Sequence, residues 1–426
     1  MKNITHKTIN CLLIAAVFII IAVAAGCAPK HAIDPGKTKI EFWTISLSPT
    51  YNDYVNGMIA EYEKQHPDVQ IEWLDIPMNA IKQKLMASIA GGVPPDVVNV
   101  NTEFAQLMAQ NNAIVNMDSA VPDVSKALYF EGLWNAAKFE DKNFAIPWYV
   151  TTRLVIYNKE LFKKAGLDPE KPPTTLEEVG QYARQIKEKT GEYGYFPIIK
   201  FLDDLQADGV PIVSKDMKTA TFNSPEGLAM LDWYTNLYKE KVIPDETLTE
   251  GLQGAVNLYQ GGKLGMLIAG PTFINRIEKD APGIYKVTGV GPMPTGKTGI
   301  IPAATMNLIV PISSKNREKA VDFALFVTND KNQLQFCKLV PMLPSTKKAA
   351  EDEFFRQDTG KPLQDKARKI SIEQLFKARD LSLGLKNQND LNRAIKEMLE
   401  SSFYGRTTTK QAIDKAVKDW NEVLNR

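Results

Sequence analysis

From Lys39 to Val100 the apolar residues switch repeatedly between a period of two and a period of 3.6, and no other feature limits the fold as much. Lys39–Ser46 (KIEFWTIS) reads as a strand. Tyr54, Val55, Met58, Ile59 and Tyr62 then recur at helical spacing, and Pro67 closes that segment. Val69, Ile71 and Trp73 alternate as a second strand, and Ile81, Leu85 and Ile89 line a helical face that ends at Gly91-Gly92. Pro94-Pro95-Asp96 leads into Val97–Val100, a short buried strand. Strand–helix–strand–helix–strand requires crossover connections, and so a largely parallel α/β sheet.

The alternation restarts after Ile146-Pro147. Arg153–Asn158 (RLVIYN) and Lys263–Gly270 (KLGMLIAG) read as strands, and Thr175 caps a helix running to Lys189. Ser224-Pro225 supplies a cap and a proline at the first helical position, opening a helix to about Lys241. Ala303–Pro311 is a strand and Glu318–Thr328 a helix. Beyond Lys331 the chain is mostly helical, with one stripe at Leu391, Ile395, Met398 and Leu399 and another at Ile413, Val417, Trp420 and Leu424. No internal repeat or low-complexity tract interrupts it.

The N-terminus is a targeting device. Lys2 and Lys7 precede an apolar stretch from Cys11 to Gly26, too short to span a bilayer and ending in small residues. Ala24-Ala25-Gly26-Cys27 resembles a bacterial lipobox, with Ala24 where Leu is usual; this implies a lipoprotein signal over residues 1–26 and a lipid on Cys27. An ordinary signal peptide is the plainer alternative. Residues 27–37, with Pro and Gly and no periodicity, read as the lipidated tether. Either way the folded part is extracytoplasmic.

The 51 basic and 50 acidic residues nearly cancel, and loss of Lys2 and Lys7 leaves 49 against 50. Such a balance excludes an electrostatically driven nucleic-acid binder. Of three cysteines only Cys337 stays free after processing, so no intramolecular disulfide forms. The processed chain keeps two histidines, His31 in the tether and His66 beside Pro67. That scarcity leaves no base for a Ser-His-Asp or Cys-His system and no His/Cys metal set. Neither a catalytic residue nor a metal or other cofactor is expected.

Several segments at long intervals resemble the extracellular solute-binding lipoproteins of bacterial ABC importers, in the maltodextrin-binding-like group that serves carbohydrate uptake. They are KIEFWTIS, GGVPPDVVNVN, AIPWYVTTRLVIYNKELFKKAGLDPEKPPTTLEEV, TATFNSPEGLAMLDWY, YQGGKLGMLIAGPTFIN and GVGPMPTGKTG. Their order covers essentially the whole processed chain. The resemblance implies a two-lobe periplasmic-binding-protein-like (type II) fold with hinge crossings and a helical C-terminal region. It puts residues 38–149 plus 299–329 in lobe 1 and residues 150–298 plus 330–426 in lobe 2. The chain would cross near Tyr149–Arg153, near Gly289–Thr298 and after Asn329. It implies a monomer, anchored to the cell membrane by lipid, that takes a carbohydrate ligand between its lobes and hands it to the membrane subunits of an ABC permease. A binding protein for a non-sugar solute is the alternative, and after it a secreted two-carboxylate glycosidase.

Open α/β sheets hold ligands at the carboxyl ends of their strands. Sugars ask there for aromatic faces and fixed polar groups. Trp43, Thr44 and Ser46 end the first strand, and Asn101, Thr102 and Glu103 follow Val97–Val100. Trp148, Tyr149 and Thr151 fall on the first crossing. Gly270, Thr272 and Phe273 match a family turn, Gly-Pro-Trp, with Thr272 in the Trp place. Ala304 and Thr305 follow the second crossing, and Arg379 lies in the C-terminal region. Core packing competes for Trp43, Trp148 and Tyr149, and a macrodipole contact at a helix start competes for Glu103.

Two features invite other readings. Gly291–Thr298 (GPMPTGKT) satisfies the nucleotide-loop pattern, yet two prolines remove amide donors and Gly299-Ile300-Ile301-Pro302 starts no helix. A hinge loop is expected. Asp203, Asp204 and Asp208 cluster as a pair of glycosidase carboxylates would, but also as a solvated face would.

Overall fold

The computed structural model describes residues 34–426. The signal segment and Cys27, the expected lipid site, lie outside the described residues. The strands are β1 Thr38–Ile45, β2 Val69–Ile76, β3 Val97–Asn101, β4 Lys138–Phe139, β5 Lys142–Asn143, β6 Ile146–Thr152 and β7 Leu154–Asn158. They continue as β8 Tyr193–Phe196, β9 Leu264–Ala269, β10 Thr288–Pro292, β11 Ile301–Ile309, β12 Leu343–Pro344 and β13 Ala378–Asp380.

Two sheets carry the architecture. The first has the order β12-β6-β11-β3-β1-β2, with β13 beside the start of β11. As the alternating periods require, β1, β2 and β3 run parallel. β11 then enters antiparallel to both β3 and β6. The second sheet has the order β10-β7-β9-β8. Here β8 and β9 are parallel, while β7 opposes both of its neighbours. A β4–β5 ribbon stands apart.

Local signals hold where a cap decides them. Thr175 accepts the Glu178 amide at 3.1 Å, and its helix, Leu176–Thr190, stops at Gly191 with φ 76°. Ser224 accepts the Gly227 amide ahead of the helix Pro225–Lys239. The helices Gln388–Phe403 and Thr409–Leu424 place Leu391, Met398, Ile413 and Trp420 in one core with Val155 and Tyr157 of β7.

The chain passes between the sheets three times. Arg153 alone separates β6 from β7, and residues 293–300 join β10 to β11. Beyond Asn329, where the third passage is expected, the chain adds two more short strands to the first sheet. β12 pairs with β6 and β13 with β11, and Cys337 and Leu343 share a core with Val150. Both short strands thus stay with the first sheet, while the helix Pro362–Leu375 bridges the two, with Ile372 and Leu375 beside Val150 and Leu363, Ala367 and Ile370 in the core of the second sheet. After β13 ends at Asp380, the helices Gln388–Phe403 and Thr409–Leu424 pack in the core of the second sheet.

Buried amides secure these passages. Gln374, on the helix Pro362–Leu375, donates from Nε2 to the Arg153 carbonyl at 3.1 Å and accepts the Met293 amide on Oε1 at 2.6 Å. One carboxamide thus ties the first crossing to the second. The nucleotide-loop pattern resolves as a turn. The Lys297 amide donates to Asp208 Oδ1 at 3.0 Å, Thr298 donates to the Ala207 carbonyl, and a strand follows instead of a helix. A Cβ at Gly296 would lie 2.2 Å from Asp208 Oδ1, so only glycine lets the turn approach so closely.

Replacing Gln374 by Leu leaves a buried amide and a buried carbonyl unpaired. We expect a loss of about 2–4 kcal/mol of unfolding free energy, read from urea midpoints. A loss below about 0.5 kcal/mol would mean that the crossings are held by other contacts.

Candidate functional site

The parallel register brings the carboxyl ends of β1, β2 and β3 side by side at Ile45, Ile76 and Asn101. β11 extends the same edge: Met306 faces Asn101, and Ala304 faces Thr151 of β6. From the second sheet β9 ends at Ala269, and a Cβ on Gly270 would lie 3.4 Å from Thr151 Cγ2. The two sheets therefore meet edge to edge, which is where an α/β fold places its ligand.

At the β1–β2 end of this edge Ser46, Ser48, Trp73, Asp75 and Pro77 line a cavity of about 440 Å³. A short relay builds it. The Trp73 indole donates to Thr44 Oγ1 at 2.7 Å, and Thr44 donates to Asp75 Oδ1 at 2.6 Å. Asp75 also accepts the Leu47 and Ser48 amides, each at 3.0 Å. The carboxylate is consumed in shaping the turn, and the half-buried indole is held in one plane. Ser46 caps the strand with φ 52° and an exposed side chain.

The structure divides the residues expected at the site. Ser46, Asn101, Glu103, Thr151, Gly270, Thr272, Ala304 and Arg379 lie along the edge with partly or fully open side chains or backbone. Asn101 Oδ1 also caps its helix by accepting the Phe104 amide, and Thr151 donates to Met342 Sδ at 2.8 Å. Arg379 lies open beside Gly132, bonded to the Ala378 carbonyl.

Four aromatics expected to stack on ligand, or able to, are core. Trp43 is 2% exposed, donates to Glu41 at 2.6 Å and packs under Lys84. Trp148 is fully buried and stacked on Phe336, which also takes the Tyr149 ring at 5.3 Å. Phe273 meets Tyr259 edge-on. For the β6 pair the cause is a register shift: Met306 pairs with Tyr149 and Asn307 with Pro147, so Trp148 is the extra residue of a bulge and both rings turn to Phe336.

Thr44, Thr102 and Thr305 are also buried, as connectors. Thr102 Oγ1 and the Thr305 amide both donate to Asp380 Oδ2, at 2.7 and 2.9 Å. One and two turns along the same helix, Thr102–Gln110, Gln106 and Gln110 donate to the carbonyls of Ser382 and Gly384. Gln206 reaches Leu381 from the second sheet's side. This polar stripe clasps the third crossing.

The clustered aspartates are no solvated face. Asp204 is 8% exposed and accepts the Tyr234 hydroxyl at 2.7 Å. Burial raises its carboxyl to about 6 despite the pull of Arg153, and burial raises Asp203 as well. Asp208 holds the Lys297 turn. Sequence reasoning missed Trp73 and Asp75, although the strand-end rule that selected Ser46 applies equally to β2. Among the described residues no three His, Cys, Asp or Glu gather as a metal site, and no helix is long and apolar enough to cross a membrane.

With this geometry in view, known proteins give the class. The profile of the family "Bacterial extracellular solute-binding protein" matches residues 48–334, and the chain belongs to that family. A periplasmic-binding protein from Synechococcus sp. MITs9220, provisionally assigned to oligosaccharides, is 32% identical with a TM-score of 0.82, covering 91% of this chain and 99% of that one. The cyclic alpha-maltosyl-1,6-maltose binding protein from Arthrobacter globiformis has the same fold at 22% identity, with a TM-score of 0.79 and coverage of 91% and 99%. The sn-glycerol-3-phosphate-binding periplasmic protein of Pectobacterium atrosepticum is 25% identical over 446 residues, 95% of this chain and 96% of that one. The chain is a solute-binding protein of the kind that serves ABC importers, with a two-lobe periplasmic-binding-protein-like fold, and its relatives bind without catalysing.

Asp204 makes the fold sensitive to pH. Its folded pKa, about 6, stands above the ordinary 3.8, so the native state keeps a proton that the unfolded chain releases. That contribution is complete below pH ~4 and lost as pH rises through about 6, on the order of 2–3 kcal/mol. Asp204→Asn, which keeps an acceptor for Tyr234, should flatten the pH 4–7 stability profile by that amount. Urea unfolding at both ends of the range reads it.

Proposed function

We propose that the chain captures a sugar or oligosaccharide between two lobes and delivers it unchanged to an ABC permease. The lobes are residues 38–152 plus 301–380, and residues 154–292 plus the helices after 387. The observation that carries the sugar is the cavity at the β1–β2 edge. There an indole face held in one plane stands beside the Ser46 and Ser48 hydroxyls, a pairing that suits the apolar and polar faces of a pyranose. The Synechococcus protein assigned to oligosaccharides and the Arthrobacter cyclic alpha-maltosyl-1,6-maltose binding protein support the same class. Ligand touching both lobes would favour the closed arrangement by its differential affinity.

A second reading is a phosphorylated polyol. It is favoured by the open Arg379 on the same edge and by the glycerol-phosphate-binding relative. The signal over residues 1–26 and Cys27 support an extracytoplasmic receptor anchored to the cell membrane by lipid; it is proposed to act as a monomer.

Thermal unfolding of the full chain in detergent, against mono- and oligosaccharides and sn-glycerol 3-phosphate, separates the readings. A sugar at a hundred times its Kd should add about 2.7 kcal/mol and raise Tm. Trp73→Ala should weaken that sugar about tenfold, while Arg379→Ala leaves it unchanged. A response to glycerol phosphate alone, abolished by Arg379→Ala, would replace the sugar by the second reading.

A further inference from the structure

A second cavity, of about 320 Å³, lies at the opposite end of the edge, beyond the contact of Thr151 with Met342 and Gly270. It has three walls. The helix Thr272–Asp280, which follows β9, contributes Ile274, and the segment before β12 contributes Lys338 and Met342. The helix Pro362–Leu375 contributes Gln364, Ala367, Arg368 and Ser371, whose spacing of three and four puts them on one face.

That third wall is built toward an acceptor. Ser371 is 2% exposed, and among the described residues its hydroxyl has no hydrogen-bond partner; the same holds for Arg368 Nε. Buried donors are nearly always paired, and each unpaired one costs stability. The remainder of the Arg368 guanidinium is fixed. It stacks on Phe354 at 4.7 Å, and its second nitrogen donates to Asp365 at 2.8 Å and to the Gln357 carbonyl at 2.6 Å. Nε is thus held in place as a free donor.

The lining has charge of one sign. It includes Lys338, Lys361 and Arg368 and no carboxylate; the acids that offset them, Asp352, Glu278 and Asp365, stand outside it. Ile274, Val340 and Leu343 make the rest apolar. The volume equals that of roughly ten waters.

We propose that this cavity is a second binding site, for a small organic oxyanion with a short apolar body. Arg368 Nε and the Ser371 hydroxyl donate to the anionic group, Lys338 and Lys361 attract it, and the aliphatic wall covers the remainder. The site needs residues that the sugar-binding reading does not use, so the two can fail separately.

The test is thermal unfolding and calorimetric titration of the full chain in detergent with phenyl phosphate and with butyrate. Ionic strength is held constant, and n-butanol is the neutral control. At least one anion should raise Tm in the unaltered protein, with n-butanol inert. Ser371→Ala should raise its Kd about tenfold, the worth of one hydrogen bond to a charged acceptor, and Ser371→Val, which fills the space, should abolish binding. The sugar response should be the same in all three chains. Silence toward both anions, an equal response to n-butanol, or an anion response that survives both substitutions would overturn the proposal. Circular dichroism confirms folding; if the Val variant is unfolded, the Ala variant decides. An anion response without any sugar response would support this cavity and count against the cleft alone.

Discussion

One buried carboxamide, that of Gln374, stands at the centre of the molecule. It bonds the only residue between β6 and β7 and, with its other atom, the start of the segment between β10 and β11. Two of the three passages between the sheets are tied to each other by these bonds. The geometry is demanding, because a donor and an acceptor must be met at once in a site closed to water. A carboxamide offers both from two separate atoms, and so can reach two segments at once. The carboxylate of Asp380 has the corresponding place at the third crossing, where it gathers Thr102, Thr305 and the Ser382 amide.

Much of the fold was legible because it follows from local chemistry. The parallel β1–β3 unit announces itself in alternating periods, and the helices opened by Thr175 and Ser224 begin where their caps stand. The third crossing was not legible. Phe336, Cys337 and Leu343 form a short apolar run that looks like the start of the C-terminal helices, and only the pairing of β12 with β6 shows which sheet it joins. Such a pairing joins positions some 190 residues apart, which no window along the chain can register.

For the expected site residues, position in the strand and residue type pointed different ways. Strand ends pointed to Ser46, Asn101, Thr151 and Ala304, which the structure leaves at least partly open along one edge. Preference for aromatics then promoted Trp43, buried under Lys84, and Trp148 and Tyr149, which a bulge in β6 turns together onto Phe336. The hydroxyls of Thr44, Thr102 and Thr305 were plausible sugar partners until the structure gave them to protein acceptors or left them sealed. The acid cluster failed in the opposite sense: Asp204 pairs with Tyr234 inside a core, a contact between residues 30 apart in the chain.

Trp73 has one more consequence. Of six tryptophans four are buried, and of the two that are half-buried only Trp73 borders the cavity at the β1–β2 edge. Its emission therefore carries a local signal against four sealed indoles and Trp233, which does not border that cavity. The molecule comes with its own optical reporter, placed at the doorway and requiring no dye.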